Sequence, residues 1–116
     1  MESKFIYQLT QTANADLDEI VSYIAVELAN PQAASDFVDK LQDAIEEARS
    51  FPQSGLPVGN EFLADKEVRK KLVGNYIMYY LPDYAKKTVF ILRIIFGRRN
   101  MDEILRRMDL TDQGMV

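Results

Sequence analysis

The chain has 116 residues, 47% of them apolar and 28% charged, with a net charge of −4 and neither cysteine nor histidine. That length supports one domain around one packed core. The two missing residue types exclude disulfides, thiolate nucleophiles, Cys- or His-held metals, Ser-His-Asp and Cys-His catalysis, and an H-E-x-x-H zinc helix.

Lys4–Thr10 (KFIYQLT) is short, aromatic and β-branched, which predicts a strand. Thr12 or Asn14 then offers a helix cap, with Asp16, Asp18 and Glu19 placed to favour a helix N-terminus. Leu17, Ile20, Val21, Ile24 and Leu28 recur at helical spacing, so a first helix is expected over about 13–29. Asn30-Pro31 is a start signal, because proline's missing N–H costs nothing in the first turn. A second helix over about 31–50 follows, striped by Ala34, Phe37, Val38, Leu41, Ala44, Ile45 and Ala48. So short a link predicts a helical hairpin.

Phe51–Lys66, with two prolines and two glycines, reads as a loop. The pattern then changes to strands: Val68–Val73, a turn at Gly74-Asn75, Tyr76–Leu81, and a second turn between Pro82-Asp83 and Lys86-Lys87. Thr88–Phe96 (TVFILRIIF) is a continuous apolar run, as in a strand buried on both faces. Gly97 ends it, and Asn100-x-x-Glu103 matches a capping box opening a last helix striped by Met101, Ile104, Leu105 and Met108. Residues 109–116 read as a disordered tail, leaving 1–108 as a single domain. The order β-α-α-β-β-β-α defines an α+β fold, in which a helical hairpin covers one face of a small antiparallel sheet. The other face is left for a ligand, a partner or the last helix.

Charge divides along the chain. Residues 1–65 hold twelve acids and three bases, whereas residues 66–108 hold eleven bases and four acids. A cationic face suited to phosphate or to an acidic partner is expected from the second part, on an anionic helical scaffold. Arg98-Arg99 stands out, since it lies between a buried strand and a capped helix, where backbone N–H groups and guanidinium forks both favour anions. Pairing with Asp102 and Glu103 is the plainer alternative. Arg93 interrupts the apolar run, so it needs either a carboxylate or the less covered face. By alternation it shares a face with Val89, Ile91 and Ile95. Metal-free RNA cleavage would draw cations from Arg69, Lys71, Arg98 and Arg99 and proton carriers from Tyr79, Tyr80 and Lys71. Ordinary strand aromatics are the simpler account of Tyr76, Tyr79 and Tyr80. Glu46-Glu47 and Asp18-Glu19 are sequence neighbours that point apart on a helix, so neither pair forms a dyad. Neither a metal nor a cofactor is called for, and no apolar run approaches the ~20 residues of a membrane span. A cytoplasmic location is expected.

Several stretches together resemble the RelE/ParE superfamily of bacterial type II toxins: Asp16-Leu17-Asp18-Glu19-Ile20 with Tyr23-Ile24, Pro31 through Phe37-Val38 with Leu41 and Ile45, Phe51-Pro52 with Gly55, Val68-Arg69, Gly74-Asn75-Tyr76 with Tyr79-Tyr80, and Ile91 through Gly97-Arg98-Arg99-Asn100. The resemblance spans about residues 4–108. It implies a growth-inhibiting toxin silenced by a cognate antitoxin, acting either on DNA gyrase, as ParE-like members do, or on ribosome-bound mRNA, as RelE-like nucleases do. The nuclease side chains are largely missing: Ile77 stands where those members carry an arginine, Leu105 where they often carry a tyrosine, and only Arg99 matches an active-site arginine. Phe96 replaces a histidine common in ParE-like relatives. The ParE-like alternative is the closer one, with no bond-breaking of its own. On it, Lys71, Arg93, Arg98 and Arg99 would meet the target, and Met101, Ile104, Leu105 and Met108 the antitoxin. On the nuclease alternative the site would be Arg69, Arg99 and Tyr80. An inactive toxin-fold binding module is a third possibility.

Overall fold

The computed structural model describes residues 4–58 and 67–97. Strand β1 (Ile6–Leu9) leads into helix α1 (Gln11–Ser22), whose last turn widens into a π-helical segment at Tyr23–Glu27. Helix α2 (Pro31–Ser50) follows, and then strands β2 (Leu56–Pro57), β3 (Arg69–Val73), β4 (Tyr76–Asp83) and β5 (Thr88–Phe96). The helix expected from Asn100, its Met101, Ile104, Leu105 and Met108 stripe, and the tail 109–116 lie outside the described residues.

Both helix starts are side-chain capped, one of them away from the expected position. The Thr10 hydroxyl, not that of Thr12 or the amide of Asn14, accepts from Ala13 N at 3.1 Å. The helix therefore begins at Gln11, and Asp16, Asp18 and Glu19 fall beyond its first turn. Asn30 Oδ1 accepts from Ala33 N at 3.0 Å and Pro31 occupies the first turn, as the sequence predicts. Leaving the hairpin link costs some strain, with Ala29 at φ +48°.

The five strands lie in the order β1-β5-β4-β3-β2. The sheet is mixed rather than antiparallel: β1 runs parallel to β5, from Ile6 opposite Thr88 to Leu9 opposite Ile91. Two helices intervene before the chain returns, and a crossover of that length permits a parallel partner. The hairpins β3–β4 and β4–β5 are antiparallel, and Gly74 takes the left-handed conformation (φ +61°) that the tight β3–β4 turn requires. The expected loop also contributes β2, two residues paired with Lys70 and Arg69.

β5 carries one residue more than β4 across from it. Tyr79 pairs with Arg93 and Tyr80 with Ile91, so Leu92 is the extra residue of a bulge. The alternation predicted for β5 is thereby broken. Val89, Ile91 and Ile94 pack with Met78, Tyr80 and the helix residues Ile20, Phe37, Leu41 and Ile45. Phe90, Leu92 and Ile95 join Tyr79, Leu81 and Val68 in a second apolar cluster on the opposite face. Leu92 and Ile95 are 0% and 4% exposed, so the face left by the sequence for a ligand, a partner or the last helix is a second core layer.

Candidate functional site

The β3–β4 register puts Arg69 opposite Tyr80 and Lys71 opposite Met78, all on the helix-facing side of the sheet. Tyr80 is fully buried. Its hydroxyl donates to Pro52 O at 2.8 Å and accepts from Gly55 N at 2.8 Å. Arg69 Nη1 donates to Gln53 O at 3.1 Å and to Gly55 O at 2.7 Å, while its Nε and Nη2 each lie 3.0 Å from Glu67 Oε1. Both residues thus tie down the Pro52–Gly55 loop. Gly55 is needed there because a Cβ would come within 2.6 Å of the Tyr80 hydroxyl and 2.8 Å of Lys70 O. The structure brings together two of the three nuclease candidates, but as loop anchors. Burial pushes the Tyr80 and Tyr79 phenols above their ordinary value, which works against either acting as a base near neutrality.

The two other candidate cations among the described residues, Lys71 and Arg93, are also engaged. Lys71 pairs with Glu47 of α2, and burial lowers the pKa of its ammonium. Of the two alternatives the sequence leaves for Arg93, a carboxylate partner or the less covered face, the structure shows the carboxylate: Nε and Nη2 donate to the two Asp16 oxygens of α1 at 2.8 and 3.0 Å. Asp16 Oδ2 also accepts from Ile94 N at 3.0 Å, so one carboxylate fixes both the guanidinium and the β5 edge beyond the reach of β1. The cationic surface anticipated from the charge division is therefore neutralised at Arg69, Lys71 and Arg93. Lys70, Lys86 and Lys87 keep no ion pair among the described residues. Arg98 and Arg99 lie outside the described residues, but their point of departure is fixed: Gly97 N donates to Asn75 O at 3.0 Å, which delivers the chain beside the β3–β4 turn.

Sequence reasoning missed the carboxylates Asp16, Glu47 and Glu67 and the loop carbonyls that engage these cations. Only the Phe51-Pro52…Gly55 spacing hinted at them. It also missed a cleft of about 340 Å³ between α1 and the end of β5. No group of three or more carboxylates that would hold a metal occurs among the described residues, nor does any helix long and apolar enough to cross a membrane.

A helical pair on one face of a five-stranded mixed sheet is the architecture of type II toxins of the ParE and RelE kind. The chain belongs to the family described as the ParE toxin of the type II toxin–antitoxin system parDE, which it matches over residues 7–101. Its fold is similar to a chain of the chromosomal ParDE system of P. aeruginosa, with a TM-score of 0.62 and 22% identity over 80% of this chain and 96% of that one. It is similar also to a chain of the RelBE2 toxin–antitoxin complex of Mycobacterium tuberculosis, with a TM-score of 0.58 and 21% identity over 81% and 99%. At those identities the likeness is one of fold. No curated protein is similar enough in sequence to add to the assignment.

Proposed function

We propose that this ParE-family toxin inhibits growth by binding DNA gyrase rather than by cutting RNA, and that a cognate antitoxin holds it silent. The observation that carries the first part is the engagement of Tyr80 and Arg69. A tyrosine with no exposed surface, hydrogen-bonded on both sides by loop backbone, has no route to a 2′-hydroxyl or a phosphate. An arginine spent on two carbonyls and a carboxylate has no free fork for a phosphorane. With histidine missing from the whole chain, no group of ordinary near-neutral pKa is left to move the proton. Binding a target needs none of these. The antitoxin part is supported by the similar chains of the ParDE and RelBE2 systems.

On this proposal the target-binding side chains are Arg98 and Arg99, which follow the anchored Gly97. Lys71 and Arg93 would first have to break ion pairs to join them. The test is a supercoiling assay with purified toxin and gyrase, run beside primer extension on mRNA from induced cells. Inhibited supercoiling with uncut mRNA is expected. Codon-phased cuts would instead establish the nuclease alternative. A tight antitoxin complex with neither effect would mark an inactive binding module. Arg98→Ala with Arg99→Ala is expected to abolish toxicity with an unchanged thermal melt, and full toxicity in that variant would remove the two residues from the site.

A further inference from the structure

The cleft between α1 and the end of β5 is unused by anything above. One wall is a single helical stripe at i, i+3 and i+7: Asp16, Glu19 and Tyr23. The other is Arg93, Tyr76 and Phe96 from the sheet. Its charges do not cancel. Arg93 and Asp16 neutralise one another in a two-pronged pair, whereas Glu19 is exposed and has no partner among the described residues, so the cleft carries one net negative charge. Its remaining lining is apolar, with Ile20, Ile94 and Ile95 beside the rings of Tyr23, Tyr76 and Phe96. Tyr23 and Phe96 are 49% and 41% exposed, unusual for rings that have a core nearby to join. The floor is rigid, because Tyr76 packs edge-on against both Phe37 and Phe96, with centroids 5.1 and 5.6 Å apart, and the Asp16 carboxylate locks the backbone of Ile94.

We infer that this cleft receives an arginine side chain of a partner polypeptide, with the guanidinium between Glu19 and the exposed rings of Tyr23 and Phe96. Each feature selects that guest. A carboxylate beside ring faces attracts a cation, and the planar, weakly hydrated guanidinium stacks where a lysine ammonium does not. The cleft, about 340 Å³, has room for one long side chain, and its net negative charge disfavours a phosphate-bearing guest. Val26 and Leu28 are 69% and 55% exposed in and just after the π-helical segment that Tyr23 opens, so apolar residues flanking the arginine have a surface to cover. A π-helical turn is itself a recurrent mark of functional surface. The inference does not rest on the proposed gyrase contact.

The probe is the peptide Ac-Leu-Arg-Leu-amide, titrated into the isotopically labelled full-length toxin and followed by backbone amide NMR, with the citrulline peptide as its uncharged twin. Saturable shifts are expected at Glu19–Tyr23 and Ile94–Phe96, with affinity at least about fivefold weaker for citrulline and for Glu19→Gln. Glu19 is exposed, so that variant is expected to melt with the wild type. Shifts absent from those residues, or equal for both peptides and for Glu19→Gln, would overturn the inference. So would binding that appears, or tightens by about tenfold, only in Arg98→Gln with Arg99→Gln, since the chain's own arginines would then be the occupants.

Discussion

Tyr80 lies at the centre of β4, yet its hydroxyl shapes a loop some 25 residues earlier in the chain. Replacing it with phenylalanine keeps the ring packed among Met78, Ile91 and the helices but strands the Gly55 N–H and the Pro52 carbonyl. Leaving such groups unsatisfied costs about 1–3 kcal/mol, so Tyr80→Phe is expected to lower the urea midpoint without changing the slope. The same residue sets a pH signature. Burial raises the Tyr80 and Tyr79 phenols above 10.0, so the folded chain holds these protons more tightly than the unfolded one. The resulting stability is complete below that value and is lost as pH climbs through the folded values. Lys71, lowered from 10.5 by burial, acts in the opposite sense, its penalty fading as pH approaches that value. Unfolding free energy is therefore expected to decline above about pH 10, and less steeply in Tyr80→Phe, by equilibrium urea titration. None of this was legible in the sequence, where Tyr80 is one of a run of strand aromatics. Its role depends on where a distant loop comes to rest.

Elements followed the sequence where a signal was local and departed from it where two segments had to meet. Asn30-Pro31 opens α2 as read, since cap and proline act within one turn. The cap of α1 lies earlier than Thr12 or Asn14 because Thr10 serves two partners: its hydroxyl accepts from Ala13 N and donates to Leu92 O at 3.1 Å. That second bond, made from a buried residue to the bulge of β5, decides where the strand stops and the helix starts. Thr10→Ala is expected to destabilise by about 1–2 kcal/mol in urea unfolding, and Thr10→Ser to recover most of the loss because it keeps the hydroxyl. Full stability in the alanine variant would mean that α1 is capped by other means. The bulge is equally illegible one strand at a time: period-2 reading of TVFILRIIF puts Ile94 and Ile95 on the wrong faces, and only the pairing with β4 reveals the extra residue.

At the scale of the whole molecule, part of the charge division along the chain is resolved internally among the described residues. The acidic helices meet the basic strands at Glu47–Lys71 and Asp16–Arg93, so much of what looked like a docking surface is the seam between layers. The sheet is packed on both sides. Leu92→Ala is thus expected to cost about 2–5 kcal/mol, as much as a helix-side truncation such as Leu41→Ala, whereas Leu72→Ala, at a site 79% exposed, should fall within the scatter of surface substitutions. Equal and small effects at Leu92 and Leu72 would show that the second face is no core. The parallel pairing of β1 with β5 joins residues 6–9 to residues 88–91, almost the full span of the domain. During translation β1 has no strand to pair with until residues 88–91 have been made, so the sheet closes late, however early the N-terminal strand and the two helices emerge.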